Sequence, residues 1–321
     1  MDKLYYIGID IAKAKFDTAV LINGKFKTKV FSNDHKGFTL MLKWLDALSI
    51  IQANFCMEAT GIYWESIAEF LTSKDFSVSV MNPSIIASYA KSLLQRGKTD
   101  EQDAKIIARY CEREQPAIWE APPAEQKQLK GLMRQLEHLK HNHQKEVVRL
   151  MTADVCVQKI IKKHIKFLAR EVEAIEAQIN QLIEHDETFN RNNTLLQSIP
   201  GIGKKTAPWL LAYLGDGSRF NRGKEAASYA GLSPMPYQSG TSVRVKTRIS
   251  KKGHTDLRQI LYMPAMATYG KRRAFVPFIN RLLESGKRPK EVIVALMRKI
   301  ITIAQAVLKS GLPFNEEMHA H

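Results

Sequence analysis

The sequence predicts an α/β domain over residues 1–122, a long-helix segment over 123–190, and a basic, mostly α-helical domain over 191–321. Three observations carry that division. Apolar runs of strand length alternate with helical spacings as far as Trp119, where Pro116, Pro122 and Pro123 interrupt the chain. Beyond them, leucines and isoleucines recur every three or four residues as far as Leu182. The charge is also uneven. Residues 1–122 hold 15 Lys/Arg against 15 Asp/Glu, residues 123–190 hold 11 against 10, and residues 191–321 hold 22 against 7. Nearly all of the formal +16 lies in the last segment, the footprint of a polyanion-binding domain joined to a neutral one.

In the first segment, Leu4–Ile9, Asp17–Leu21 and Phe26–Phe31 read as strands, with Asn23-Gly24 as the hairpin turn between the last two. Phe38–Leu48 is helical by spacing, Asn54–Glu58 is a strand, and Tyr63–Phe70 is a helix. Phe76–Met81 is a strand stopped by Asn82-Pro83. A helix from Ser84 to Leu94 leads into the basic turn Gln95-Arg96-Gly97-Lys98, and Ala104–Tyr110 is helical again.

Three acidic stretches stand out on these elements. Tyr6-Ile7-Gly8-Ile9-Asp10 and Phe55-Cys56-Met57-Glu58 are apolar runs ending in a carboxylate, and Asp100 and Asp103 share one face at the head of a helix. Singly, Asp10 reads as a turn or cap residue and Asp100 as a helix cap. Glu58 closes a run that reads as buried, where an unpaired carboxylate is costly. Four convergent carboxylates repel one another unless a divalent cation lies between them. Sites of that kind hold Mg²⁺ or Mn²⁺ and cut or join phosphodiesters. The order strand, strand, helix pair resembles the RuvC-like branch of the ribonuclease H fold. Asp17 falls outside the set and reads as an ordinary strand-edge charge.

The middle segment carries Leu129, Leu132, Leu136 and Leu139, then Ile161, Ile165, Leu168, Val172, Ile175, Ile179 and Leu182. This is an a/d seam, hence two long helices in a coiled coil, within or between chains, serving assembly. His138, His141 and His143 have no acidic or Cys partner at ligand spacing and read as exposed helix histidines. Cys56, Cys111 and Cys156 are odd in number and lack C-x-x-C spacing, which suits a reducing cytoplasm and excludes a disulfide framework. No apolar run reaches the ~18 residues of a membrane span, and the N-terminus has no signal-peptide pattern.

The last segment opens on Leu195 to Ala207, which reads as a helix–hairpin–helix element around Pro200-Gly201-Ile202-Gly203-Lys204-Lys205. Gly201 and Gly203 would let backbone N–H groups approach a phosphate, with Lys204 and Lys205 adding charge. Arg244, Lys246, Arg248, Lys251, Lys252 and Arg258 then crowd one stretch, opposed only by Asp256. Just before them, Ser239 stands beside Gly240, a hydroxyl in a cationic loop that can bind or attack a phosphate. Lys287-Arg288-Pro289-Lys290 followed by Val292–Val307 is a capped amphipathic helix of this domain's core.

These residues together resemble the DEDD transposases of bacterial insertion sequences, of the insertion sequence 110 type, which include the Piv-like DNA invertases. The resemblance runs from Tyr5 to about Pro313. It rests on Tyr6–Asp10, Glu58-Ala59-Thr60-Gly61, Lys98-Thr99-Asp100 with Asp103-Ala104, Ile199–Gly203, Ala230-Gly231-Leu232 with Pro234, Ser239-Gly240, and Ser250-Lys251 with Gly253-His254. It implies Mg²⁺ on Asp10, Glu58, Asp100 and Asp103, and Ser239 as a nucleophile that becomes covalently joined to DNA. The two parts would meet in a composite site, from different protomers of a dimer or tetramer bridged by the coiled coil. It further implies guidance by a structured noncoding bridge RNA that pairs with donor and target DNA, with protein reading backbone. Such a protein would be cytoplasmic in a bacterium and nucleoid-associated when active. The competing readings are a hydrolytic junction nuclease using the carboxylates alone, a site-specific DNA invertase, and a non-catalytic nucleic-acid scaffold.

Overall fold

The computed structural model of the chain describes residues 4–93, 99–239, 243–270 and 273–319. It divides into two compact units, Met1–Ala121 and Pro122–His321. The basic turn expected at 95–98 lies outside the described residues.

The first unit is a five-stranded sheet in the order β3-β2-β1-β4-β5. Strands β1 (Leu4–Ile11), β2 (Lys15–Ile22) and β3 (Lys25–Ser32) form an antiparallel meander. Both turn residues between β2 and β3, Asn23 and Gly24, have positive φ (49° and 76°), the pairing that matches the twist of a two-residue hairpin. After α1 (His35–Ala47), β4 (Gln52–Glu58) joins β1 in parallel. Helix α2 (Glu65–Thr72) then carries the chain over to β5 (Ser77–Met81), parallel to β4.

Side-chain alternation splits β4 between two cores. Phe55 and Met57 join α1 and α2 on one face, while Cys56 joins α3 (Pro83–Ser92) and α4 (Asp100–Glu114) on the other. The sheet is therefore covered on both sides, as its parallel strands require.

In the second unit, α5 (Ala124–Leu150) and α6 (Val155–His185) pack against each other as a helical hairpin within one chain. The short connection makes them antiparallel, and two cross-helix contacts agree, the Lys140–Glu176 ion pair at 2.7 Å and the approach of His164 to Glu146 at 3.6 Å. The hairpin's base is no separate layer. Leu129, Met133, Leu136, Ile179 and Ile183 enter the same core as the rest of the unit.

That core is built around α8 (Ala207–Leu214), every residue of which is buried, and α12 (Pro289–Ser310). Around them lie α7 (Glu187–Gln197), α9 (Gly223–Tyr229), α10 (Thr255–Tyr269) and α11 (Val276–Glu284), and the short α13 (Glu316–His319) follows α12. The stretch expected as cationic turns is instead a two-stranded antiparallel ribbon, β6 (Pro234–Ser239) with β7 (Val243–Ile249). The cause is legible in the alternation Val243, Val245, Thr247, Ile249, a period of two.

Candidate active site

Strand register and one close helix crossing bring the acidic residues together. Asp10 is the penultimate residue of β1 and Glu58 the last of β4. Ile9 pairs with Met57 in the parallel ladder, so the two carboxylate residues leave the sheet at the same edge. Asp10 is thus a strand residue and not a turn or cap.

Helix α4 supplies the other two. Thr99 is its N-cap, its side chain accepting from the Gln102 N–H, so Asp100 and Asp103 are not needed for capping. The helix lies directly on β1 because Gly8 has no side chain. A Cβ there would stand 2.1 Å from the Ala104 carbonyl oxygen and 2.3 Å from the Ala108 nitrogen. Gly8, Ala104 and Ala108 together set how closely Asp100 and Asp103 approach Asp10.

The electrostatics report the convergence. Burial pushes the Asp10 carboxyl up from 3.8 to about 6, and the charges of Asp103, Asp100, Glu58 and Asp17 each add to the rise. The other three predicted acids therefore all act on the ionisation of Asp10. The Glu58 carboxylate accepts a hydrogen bond from the Thr60 hydroxyl at 2.8 Å. As placed, no three His, Cys, Asp or Glu side chains among the described residues stand close enough to hold a metal ion. The donor set itself, carboxylate oxygens alone around an acid destabilised by its neighbours, fits a hard divalent cation.

Two residues escaped sequence reasoning. Asp17 is buried, 7% exposed, directly across the antiparallel ladder from Asp10, and is no edge charge. Lys15 bridges Asp17 at 3.2 Å and Asp100 at 2.8 Å, which holds its ammonium above the ordinary lysine range. The signal was the hairpin register, which pairs Asp10 with Asp17 only once the loop between β1 and β2 is known.

In the second unit the predicted residues separate into scaffold and surface. Gly201, at φ 90°, packs under α10: a Cβ would meet the Thr268 Cγ2 at 2.7 Å and the Pro264 carbonyl at 2.8 Å. Its glycine is demanded by that φ and by the helix packing. The N-terminus of α8 is buried too, and the Gly203 carbonyl accepts from the Thr206 and Ala207 N–H groups. Gly203, Lys204 and Lys205 are what this turn exposes.

The ribbon's foot is similarly built. Gly231 has φ 71°, and a Cβ on Gly253 would lie 2.4 Å from the Tyr229 carbonyl. Arg258 donates to the carbonyls of Ala230 (3.0 Å) and Gly253 (2.9 Å), so it ties the foot together instead of facing solvent freely. His254 packs on Tyr229 and Tyr213; burial, then Lys130 and Arg134, bring its pKa down from 6.5 to about 4. The Tyr213 hydroxyl donates to Asp256, which also faces Arg134.

From that foot the ribbon carries Arg244, Lys246 and Arg248 at every second position of β7, with exposed Lys251 and Lys252 beyond it. Ser239 ends β6 opposite Val243. The side chains of Ser239, Arg244 and Lys246, and the whole of Gly240 and Ser242, lie outside the described residues.

Comparison with known proteins agrees with both halves. Residues 7–153 match a DEDD model described as "Transposase", and residues 193–278 match one described as "Transposase IS116/IS110/IS902 family". The chain is 39% identical over 317 residues, 98% of either chain, to a pilin gene-inverting protein of Moraxella bovis, and equally so to one of Moraxella lacunata. It is 30% identical over 176 residues, 53% of its length, to the transposase for insertion sequence element IS1328 of Yersinia enterocolitica. The chain belongs to the IS110 family of DEDD transposases and DNA invertases, enzymes that cut and rejoin DNA.

Proposed function

We propose that this protein is a site-specific DNA recombinase in which the four carboxylates and Ser239 act on the same phosphodiester. The observation that carries the reading is the Asp10 carboxyl pushed up to about 6 by burial and by the combined charge of Asp103, Asp100 and Glu58. Mg²⁺ or Mn²⁺ held by Asp10, Glu58, Asp100 and Asp103 would supply Lewis acidity at the scissile phosphate. Lys15, bridging Asp17 and Asp100, positions the rim of that cluster.

The Ser239 hydroxyl attacks phosphorus, forming a phosphoserine ester as the P–O bond to one deoxyribose breaks, and its proton leaves with the departing sugar oxygen. Attack by an incoming strand's hydroxyl restores serine and reseals the backbone, so bond energy is conserved without ATP. Arg244, Lys246 and Arg248 on β7 stabilise the charge developing on the phosphate, and Lys204, Lys205, Lys251 and Lys252 hold backbone phosphates.

Sequence choice falls to a structured guide RNA paired with DNA, because the cations assigned here to phosphate lie on a turn and a ribbon, a placement suited to reading backbone. The working form is an oligomer. Inversion of a DNA segment is favoured over transposition. The relatives matched along their whole length are named for gene inversion, whereas similarity to the IS1328 transposase spans about half the chain.

Expression in a bacterial host that carries the gene's own flanking DNA tests this. Long-read sequencing should recover inverted or inserted junctions with wild type and none with Asp10→Ala, Asp103→Ala. Sequencing the copurifying RNA should return one structured species. Wild-type junctions in the double variant would overturn the reading, and undiminished activity after complete RNA removal would overturn the guide.

A further inference from the structure

The near-neutral charge of residues 123–190 conceals a strong separation along the helical hairpin. Residues 138–170, the end remote from the core, hold 8 Lys/Arg against 2 Asp/Glu, whereas residues 171–190 hold 6 acids and no Lys or Arg. From Val155 to Arg170 helix α6 has five cations and no acid.

Those cations are placed on one face. Lys159, Lys163, Lys166 and Arg170 recur at i, i+4, i+7 and i+11, with Lys162 alongside, and all five are exposed. The buried positions Ile161 and Leu168 point to the opposite side, into α5. The two acids that face cations along the hairpin are already engaged elsewhere: Glu146 by Arg149 and His164, and Glu176 by Lys140. Among the described residues none of the five pairs with a carboxylate. A stability role through ion pairs is thereby removed, and like charges at i, i+4 weaken the helix slightly.

We infer that the outer face of α6, from Lys159 to Arg170, is a second binding surface for the phosphate backbone of duplex DNA, separate from the basic ribbon. The inference rests on the recombinase reading for its partner, since DNA is the polyanion the family cuts and joins. Eleven residues of helix span about 16 Å, close to half a turn of duplex at about 34 Å per turn. A straight row of four ammonium groups closed by the Arg170 guanidinium can follow one strand's phosphates over that length. Ile160 and Phe167, exposed at 68% and 56%, flank the row on one edge. They are where a protein partner would press instead, so they form the control.

The test is binding of nuclease-treated full-length protein to a mixed-sequence duplex DNA of about two turns, as a function of NaCl. Lys159→Gln, Lys163→Gln, Lys166→Gln together should lower the slope of log K against log salt by about 2.7, at roughly 0.9 per lost phosphate contact. Sedimentation of the variant should equal wild type. An unchanged slope beside a steep wild-type slope overturns this surface and leaves the recombinase reading intact; a wild type that shows no salt-dependent DNA binding overturns both. A slope change seen on duplex RNA but absent on DNA overturns the choice of partner. Altered self-association in the lysine variant, matched by Ile160→Ser, Phe167→Ser, makes the face a protein contact and overturns the inference.

Discussion

The two units handle charge in opposite ways. In the first, each acid of the cluster stands on a regular element, and burial with the neighbouring charges raises the cost of ionising Asp10. In the second, Arg244, Lys246 and Arg248 fall at every second position of a ribbon strand, and Lys204 and Lys205 are exposed on a turn. A cluster of like charges has to be forced by packing, here Gly8 under α4, and it creates a demand for a counter-charge. A dispersed cationic surface needs only a secure foot, and its partner is a long polyanion. The comparison predicts that damage to the first unit removes chemistry, while damage to the second grades binding.

The largest effect expected is on catalysis. Asp10→Ala should reduce strand cleavage roughly a thousandfold or more with DNA binding little altered. Lys251→Gln, Lys252→Gln should do the reverse, flattening the salt slope of DNA binding by about 1.8. If both variants lose cleavage and binding in proportion, the division of labour fails.

Next comes packing. Gly8→Val should destabilise the first unit by roughly 3 kcal/mol, because helix α4 cannot lie on β1 with a side chain between them. Gly203 is exposed, and a Cβ added there would meet no atom within 4 Å, so Gly203→Ala should change stability by less than about 0.5 kcal/mol. Denaturant unfolding followed by amide exchange in each unit separates the two.

In the second unit a pH effect should come from His254. His254 has a folded pKa of about 4 against 6.5. Above pH 6.5 it is neutral in both states. As pH falls from 6.5 towards 4 the unfolded chain takes up the proton first, so stability declines across that window, by roughly 3 kcal/mol. Exchange protection of α8 should fall accordingly, and His254→Phe should flatten the dependence. The smallest effect is electrostatic: Asp17→Asn should lower the Asp10 pKa, and Asp103→Asn should lower it further, in a carbon-13 carboxyl titration.

Much of the first unit was legible from sequence because carboxylates at the ends of apolar strands and an i, i+3 pair at a helix head are local patterns. Asp17 and Lys15 were not, since their closeness to Asp10 and Asp100 depends on cross-strand register and on how α4 crosses the sheet. The glycines were legible as motifs but not as to purpose. Gly201 could serve φ, packing or phosphate approach alike, and its φ of 90° with its contacts to Pro264 and Thr268 shows that φ and packing both require it. The leucine and isoleucine seam was equally indifferent to whether its partner helix came from the same chain; the ion pair of Lys140 with Glu176 shows that it does.

The most direct test of the central claim is the chemical state of Ser239 after reaction with cleavable DNA. The account predicts a covalent protein–DNA adduct in Mg²⁺, mapped by mass spectrometry to a phosphoserine at Ser239, and absent from Ser239→Ala and from Asp10→Ala. Full cleavage by Ser239→Ala with no adduct in wild type would contradict it and leave a hydrolytic nuclease in its place.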